Sequence, residues 1–334
     1  MPVLFRSLDD LPGRFRGGVV SIGNFDGVHL GHAEIIGRLV EMGRQVAGPA
    51  VVLTFDPHPA CLLRPERAPT PLCWTERKAD LLAALGAEAV VAYPTTLDLL
   101  HQEPREFFDQ IVVGRLAARG LLEGRNFFFG HDRHGTVEVL RRFCAEAGMP
   151  LEVVEPRTVG QEAVSSSRIR RLIAAGRVEE ARQLLGRPHR IRGVVGHGRG
   201  RGLRLGFPTA NLDEVDVLLP GEGIYAGQAF LEPPGEPFAA QTPSLREVSS
   251  GSGVLDSAAY PAALSIGPNP TFEDSARKVE AFLLDYQGDL YGQAIEIDFL
   301  ARLRDIRRFA SADELTAQMA RDVERTRHEA RNAT

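Results

Sequence analysis

The chain changes its periodicity once, at Gly186-Arg187-Pro188. Upstream, short apolar runs alternate with amphipathic stretches of helical period. Strands are predicted over 19–22, 50–55, 89–93, 120–122 and 151–154, and helices over 33–46, 76–85, 104–118 and 137–147. Ser167 to Leu185 reads as a further helical section. Strands alternating with helices predict an α/β fold, a parallel sheet covered on both faces, whose ligands lie outside the carboxyl ends of the strands. Downstream the reading turns to strands and turns, over 191–195, 224–230, 262–266, 279–286 and 294–300. That spacing suggests a small antiparallel barrel or sandwich. Gln287-Gly288-Asp289 predicts a hairpin turn between the last two strands. One helix closes the chain. Ser311 and Glu314 form a capping box for it, and its charged run to Arg331 reads as a solvated face. With 334 residues the chain is long enough for two domains, expected over 1–187 and 188–334.

Composition removes several classes of function. The net charge of −5 gives no basic field for nucleic acid or an anionic membrane. No apolar run approaches the length of a membrane helix, and the N-terminus lacks the apolar core of a signal peptide. The three cysteines have no metal-type spacing, as expected of reduced thiols in a cytoplasmic protein that is a monomer or weak homo-oligomer. Of 39 basic residues only Lys78 and Lys278 are lysines, and no G-x-x-x-x-G-K-[ST] occurs, which excludes a P-loop kinase. The Pro-, Gly- and Ser-rich stretch between Glu232 and Ser257 reads as a surface loop.

Six segments can carry chemistry. GNFDGVHLGH (Gly23 to His32) joins the first predicted strand to the first helix. Its glycines, Asn24, Phe25, Asp26 and Gly31 shape a turn whose helix N-terminus can meet a phosphate. His29 and His32, three apart, can share one face and stabilise charge growing on phosphorus, which points to nucleotidyl transfer from a nucleoside triphosphate. SSSRIRRL offers Ser165, Ser166 and Arg168 as a helix cap or as a triphosphate contact. TFDPHP places Asp56, Pro57 and His58 in a turn at a strand's carboxyl end. GRNFFFG sets Phe127 and Phe129 beside Asn126, either as core or as a grip on a planar ring. HGRGRGLRLGFPTAN reads as a flexible basic loop or a phosphate-cradling flap, with Gly198 and Gly206 at its bends. Thr209 and Asn211 in that segment make an oxygen-only pair suited to Mg²⁺. KVEAFLLDY puts Lys278, Glu280 and Phe282 on one face of a strand, with Glu280 a candidate general base for an alcohol.

Taken together, GNFDGVHLGH, TFDPHP, NFFFG, SSSRIR, GFPTAN, IGPNPTF, VEAF and DLYG resemble the bifunctional bacterial riboflavin kinase/FAD synthetases across nearly the whole chain. The resemblance implies a Rossmann-like N-terminal domain that transfers AMP from ATP to FMN, giving FAD and pyrophosphate. It implies a six-stranded barrel that phosphorylates riboflavin with ATP and Mg²⁺. FMN and FAD are then substrate and product, not redox cofactors. His29, His32, Asn126, Ser165 and Arg168 would handle ATP, and Asp56 to Pro59 would lie near the flavin. Thr209 and Asn211 would hold Mg²⁺ and ATP, Glu280 would act as base, and Arg304 would lie near the flavin of the kinase. The chain departs from the family at Phe128, where a basic residue is usual, at Asn126, where Asp is commoner, and at Ile306, where an acid is usual.

Overall fold

A computed structural model describes residues 4–197, 207–231, 259–269 and 274–333. Its described residues fall into two compact units, 4–69 with 74–165, and 70–73 with 166–333.

The first unit is a six-stranded sheet in the order β1-β4-β3-β2-β5-β6. The strands are β1 (Leu4–Phe5), β2 (Val19–Ile22), β3 (Ala50–Asp56), β4 (Ala89–Pro94), β5 (Gly120–Gly124) and β6 (Leu151–Val154), and every pair is parallel. Strand alternation decides what each face buries. Val19, Val52, Val90 and Leu122 face α1 (Leu30–Gln45) and α3 (Thr75–Ala84), whose Ile36, Leu39, Ala79 and Leu82 complete one core. A short α2 (Ala60–Leu63) follows β3. Val20, Val51, Val91 and Leu121 face the opposite way, toward Phe107, Phe108, Ile111, Leu140 and Phe143. Those side chains come from α5 (Pro104–Phe107), a π-helical stretch Phe108–Arg115 that continues it, and α6 (Val137–Glu146); a one-turn α4 (Leu97–His101) precedes them. The expected helices and strands are present, β1 is an edge strand too short for the pattern to have shown it, and a separate two-stranded antiparallel sheet, β7 (Thr158–Val159) with β8 (Glu162–Ala163), follows β6.

The second unit opens with two helices where the sequence suggested one section, α7 (Ser166–Ala174) and α8 (Val178–Leu185). Gly176 separates them at φ +75°, and a Cβ there would lie 2.7 Å from the Tyr225 hydroxyl. Six strands then close into a barrel: β9 (His189–Gly196), β10 (Ala210–Asp213), β11 (Gly223–Leu231), β12 (Ala259–Asn269), β13 (Asp274–Leu283) and β14 (Ala294–Arg304). All neighbours are antiparallel, in the order β10-β13-β12-β11-β14-β9. Ile191, Tyr225, Leu264, Ile266, Ile297 and Phe299 fill the interior. The hairpin expected at Gln287-Gly288-Asp289 does not form. β13 pairs with β12 and β10, whereas β14 pairs with β11 and β9, so the segment is a link between non-neighbouring strands. Its Gly and Asp describe a bend, and a bend does not reveal which strand its ends will meet.

The terminal helix α9 (Ala312–Ala333) is capped much as expected. Ser311 Oγ accepts from Glu314 N–H at 3.2 Å, while the Glu314 carboxylate reaches back to Ala310 N–H rather than to Ser311. Its charged run is not simply a solvated face. Asp322, Thr326 and Ala330, four apart, are buried, and Arg304 of β14 binds the Asp322 carboxylate through two nitrogens, at 3.0 and 2.7 Å.

Candidate active sites

In the first unit the strand order reverses between β2 and β5, with β3 and β4 on one side and β6 on the other. Such a switch point opens a crevice at the carboxyl ends. The turn Gly23 to His29 leaves β2 there. Phe25 (φ +44°), Gly27 (φ +79°) and Val28 (φ +39°) all lie in the left-handed region. For a β-branched residue that conformation is a genuine outlier, and strain of this kind concentrates at functional sites.

The strained turn is pinned at three successive residues. Ile22 N–H donates to Glu123 Oε1 at 2.7 Å, Gly23 N–H to the Leu53 carbonyl at 3.0 Å, and the Asn24 carbonyl accepts from Thr54 Oγ1 at 3.1 Å. It delivers His29 to the N-cap of α1. The His29 ring, 5% exposed, accepts from His32 N–H through Nδ1 at 3.3 Å. An imidazole nitrogen that accepts leaves Nε2 as the proton-bearing atom of the neutral ring. The two rings stack with centroids 3.6 Å apart, and Phe25 meets His32 edge-on. The histidines predicted to share a face do so, at a helix N-terminus whose dipole favours an anion.

Around this turn the other expected residues divide. Asp56 accepts from Arg6 and from Thr75 Oγ1, both at 2.9 Å, and His58 Nδ1 accepts from Ala60 N–H at 3.1 Å, so the loop after β3 is rigidly held. Asn126 is exposed in the turn after β5. Phe129 is a core residue, packed with Phe107 and Phe127, and Phe127 is partly buried against the same core. The ring left exposed is Phe128, and the Arg133 guanidinium lies over it at 4.3 Å from the centroid. A guanidinium from five residues on thus lies against the ring at 128. Ser165 ends the first unit's segment, whereas Ser166 and Arg168 belong to α7 in the second.

Glu123 was not anticipated. It is 2% exposed on β5, and burial pushes its carboxyl well above the usual carboxylate range despite the Ile22 N–H that favours ionisation. The acid within the otherwise apolar run Leu121-Leu122-Glu123 is the signal that was available.

In the second unit the register assembles the site. Asn211 of β10 lies directly opposite Glu280 of β13, and Glu280 lies opposite Ser265 of β12. Their neighbours Leu212, Ala281 and Leu264 are buried inside the barrel, so this row of an amide, a carboxylate and a hydroxyl faces outward. Thr209, two residues before Asn211, precedes β10. Phe282, on the Glu280 side of the strand, meets Phe207 edge-on at 5.5 Å. Thr209 and Asn211 supply neutral oxygens, a pair whose chemistry fits Mg²⁺ shared with a triphosphate, and the Glu280 carboxylate lies on the neighbouring strand beside them. Ser265 is a further residue the sequence reading passed over, since only the pairing brings it beside Glu280. Gly198 and Gly206 lie outside the described residues, as do most of the expected flap and the 232–257 loop. Arg304 is committed to Asp322 and lies 5.6 Å from the Phe309 ring.

Among the described residues no helix is long and apolar enough to cross a membrane. Residues 12–168 match the family described as FAD synthetase, and residues 185–330 the family described as riboflavin kinase. The bifunctional riboflavin kinase/FMN adenylyltransferase of Pseudomonas fluorescens is 33% identical, over 96% of this chain and 95% of its own. That of Escherichia coli K12 is 32% identical over 92% and 90%. A crystal structure from Streptococcus pneumoniae, described as a macrolide-efflux protein, superposes with a TM-score of 0.80 at 28% identity, covering 97% of this chain and 98% of that one. The chain therefore belongs to the bifunctional riboflavin kinase/FMN adenylyltransferases, with the FAD synthetase part first and the kinase part second.

Proposed function

We propose a division of labour in which residues 1–187 transfer AMP from ATP to FMN and residues 188–334 phosphorylate riboflavin. The observation that carries it is the separation of two unlike constellations, stacked His29 and His32 at the sheet's switch point and Asn211 opposite Glu280 on the barrel.

In the first reaction an FMN phosphate oxygen attacks the α-phosphorus of ATP and pyrophosphate leaves, so no protein nucleophile is needed. His29 Nε2–H and His32 donate to phosphate oxygens as charge builds in the transition state, beside the N-terminal pole of α1. Gly23, Asn24, Phe25, Asp26 and Gly31 hold the turn against the phosphates. Asn126 and Ser165 contact the nucleotide, and Asp56, Pro57, His58 and Phe127 border the flavin. Phe129, being core, supports that wall from behind, and Phe128 with Arg133 offers the exposed plane.

In the second reaction Glu280 takes the proton of the riboflavin 5′-hydroxyl as it attacks the γ-phosphorus of ATP, and ADP leaves. Thr209 and Asn211 would hold Mg²⁺, which when bound would neutralise charge on the ATP phosphates. Arg304, fixed by Asp322, orients the α9 side of the flavin site. All three cysteines are free, which supports a cytoplasmic enzyme.

Purified protein given riboflavin, ATP and Mg²⁺ is expected to form FMN and then FAD on chromatography. FMN without FAD would leave the barrel assignment standing and point to Phe128. Absence of both products from folded protein would overturn the proposal.

A further inference from the structure

Only two lysines occur among 39 basic residues, so a lysine in this chain occupies a place that arginine does not. One of them, Lys78 of α3, is 8% exposed. A buried ammonium is normally matched by a carboxylate, because its desolvation is costly. Among the described residues no carboxylate lies within ion-pair distance of Lys78. Its Nζ instead donates to Thr54 Oγ1 at 3.4 Å, and Thr54, 0% exposed, donates that same hydroxyl's proton to the Asn24 carbonyl at 3.1 Å. The ammonium thereby fixes the rotamer and polarity of the hydroxyl. With its acceptor lone pair turned to Lys78, Thr54 is left to donate to Asn24.

Asn24 immediately precedes the turn whose left-handed residues Phe25, Gly27 and Val28 carry His29 to the helix N-terminus. Strained backbone persists only where its surroundings over-determine it. The Ile22 and Gly23 restraints come from β5 and β3, and the Asn24 restraint is the one nearest the strain. We propose that Lys78 is a positioning residue for adenylyl transfer, acting through Thr54 on the Asn24 carbonyl to hold the strained turn in the shape that aims His29. This rests on the assignment of adenylyl transfer to the histidine turn. Arginine does not substitute, because its planar fork of five donors cannot be satisfied by one hydroxyl in a closed space.

Lys78→Met keeps the stem and removes the charge, Thr54→Val keeps the shape and removes the hydroxyl, and Thr54→Ser restores it. Initial rates of FAD formation from FMN and ATP, with riboflavin phosphorylation by the same preparation as reference, separate the cases. Loosening the aim of a catalytic group is expected to lower kcat about 10-fold or more in Lys78→Met and Thr54→Val, leaving the KM for FMN within about 2-fold. Thr54→Ser is expected to stay near wild type. The double variant is expected to be no slower than the slower single, because the two residues act in series. Wild-type kcat in Lys78→Met or in Thr54→Val, or losses that multiply in the double variant, would overturn the proposal. If Lys78→Met does not fold, Thr54→Val against Thr54→Ser decides it alone. Wild-type protein that makes no FAD would instead refute the adenylyl-transfer assignment itself.

Discussion

In the parallel sheet the proposed catalytic groups are neighbours in the chain, and in the barrel they are neighbours only across strands. His29 and His32 sit three residues apart and are brought together by one turn of helix. Asn211 and Glu280 are distant in sequence and meet because β10 pairs with β13. The first arrangement draws its precision from a strained turn restrained on both sides, the second from register, which a slip of one residue would turn inside out. A local device tolerates rebuilding of distant strands but is sensitive to its own backbone. A register device has the opposite sensitivities.

Four substitutions sharpen or break this contrast. The largest effect is expected from Glu280→Gln, which keeps the register and removes the base. Riboflavin phosphorylation should fall about 10²–10⁴-fold in kcat while FAD formation from supplied FMN continues. Normal kinase turnover in that variant would remove Glu280 from the mechanism. His29→Ala is expected to cost about 10²–10³-fold in FAD formation, with the kinase unaffected; parallel loss of both activities in folded protein would show that the two sites are not independent.

Gly31→Ala tests how finely the turn is set. A Cβ at Gly31 would lie 3.2 Å from the His29 ring, so the ring must shift. An off-rotamer displacement of about 0.5–1.5 kcal/mol corresponds to a loss of about 2- to 10-fold in kcat, read in the same FAD assay. An unchanged rate would mean that His29 is not held as tightly as its stacking implies.

The smallest effect is expected on stability, from Glu123→Gln. The buried Glu123 carboxyl titrates well above the ordinary value, so the folded state keeps a proton that the unfolded chain releases as pH rises past about 4.3. Stability contributed at this position is therefore greatest at low pH and declines until the folded-state pKa is passed. Glutamine has no such dependence. Its thermal midpoint should exceed wild type by about 2–4 °C at pH 8 and converge with it near pH 4, and a constant difference across that range would refute a buried neutral acid.

Much of the architecture was legible in the sequence for the same reason that the first site was. Period 3.6 and period 2 are local signals, and they located both layers of helices, the central strands and the change at residue 186. β10 was missed because four residues, two of them polar, carry little alternation. The Gly288 bend was misread as a hairpin because strand pairing is not local. Phe127, Phe128 and Phe129 have one residue type and unlike fates, core for Phe129 and solvent for Phe128, which only the Phe129–Gly135 bridge and the core behind it determine. Glu123 stood out as an acid in an apolar run, whereas Lys78 and Ser265 carried no local signal, because each faces its partner on another strand or helix.

The barrel's closure carries a consequence for synthesis. Arg190 of β9 grips Asp298 of β14, 108 residues later, with two contacts of 2.6 Å, on the strand pair that seals the ring. One edge of β9 can pair with β10 as soon as that strand is made, but its other edge waits for β14, the last strand of the barrel, while the parallel sheet has all its strands once Val154 is made. The order of the two halves lets the sheet form on the ribosome while the β14-facing edge of β9 is still unpaired, and an open strand edge of that kind needs shielding during the interval.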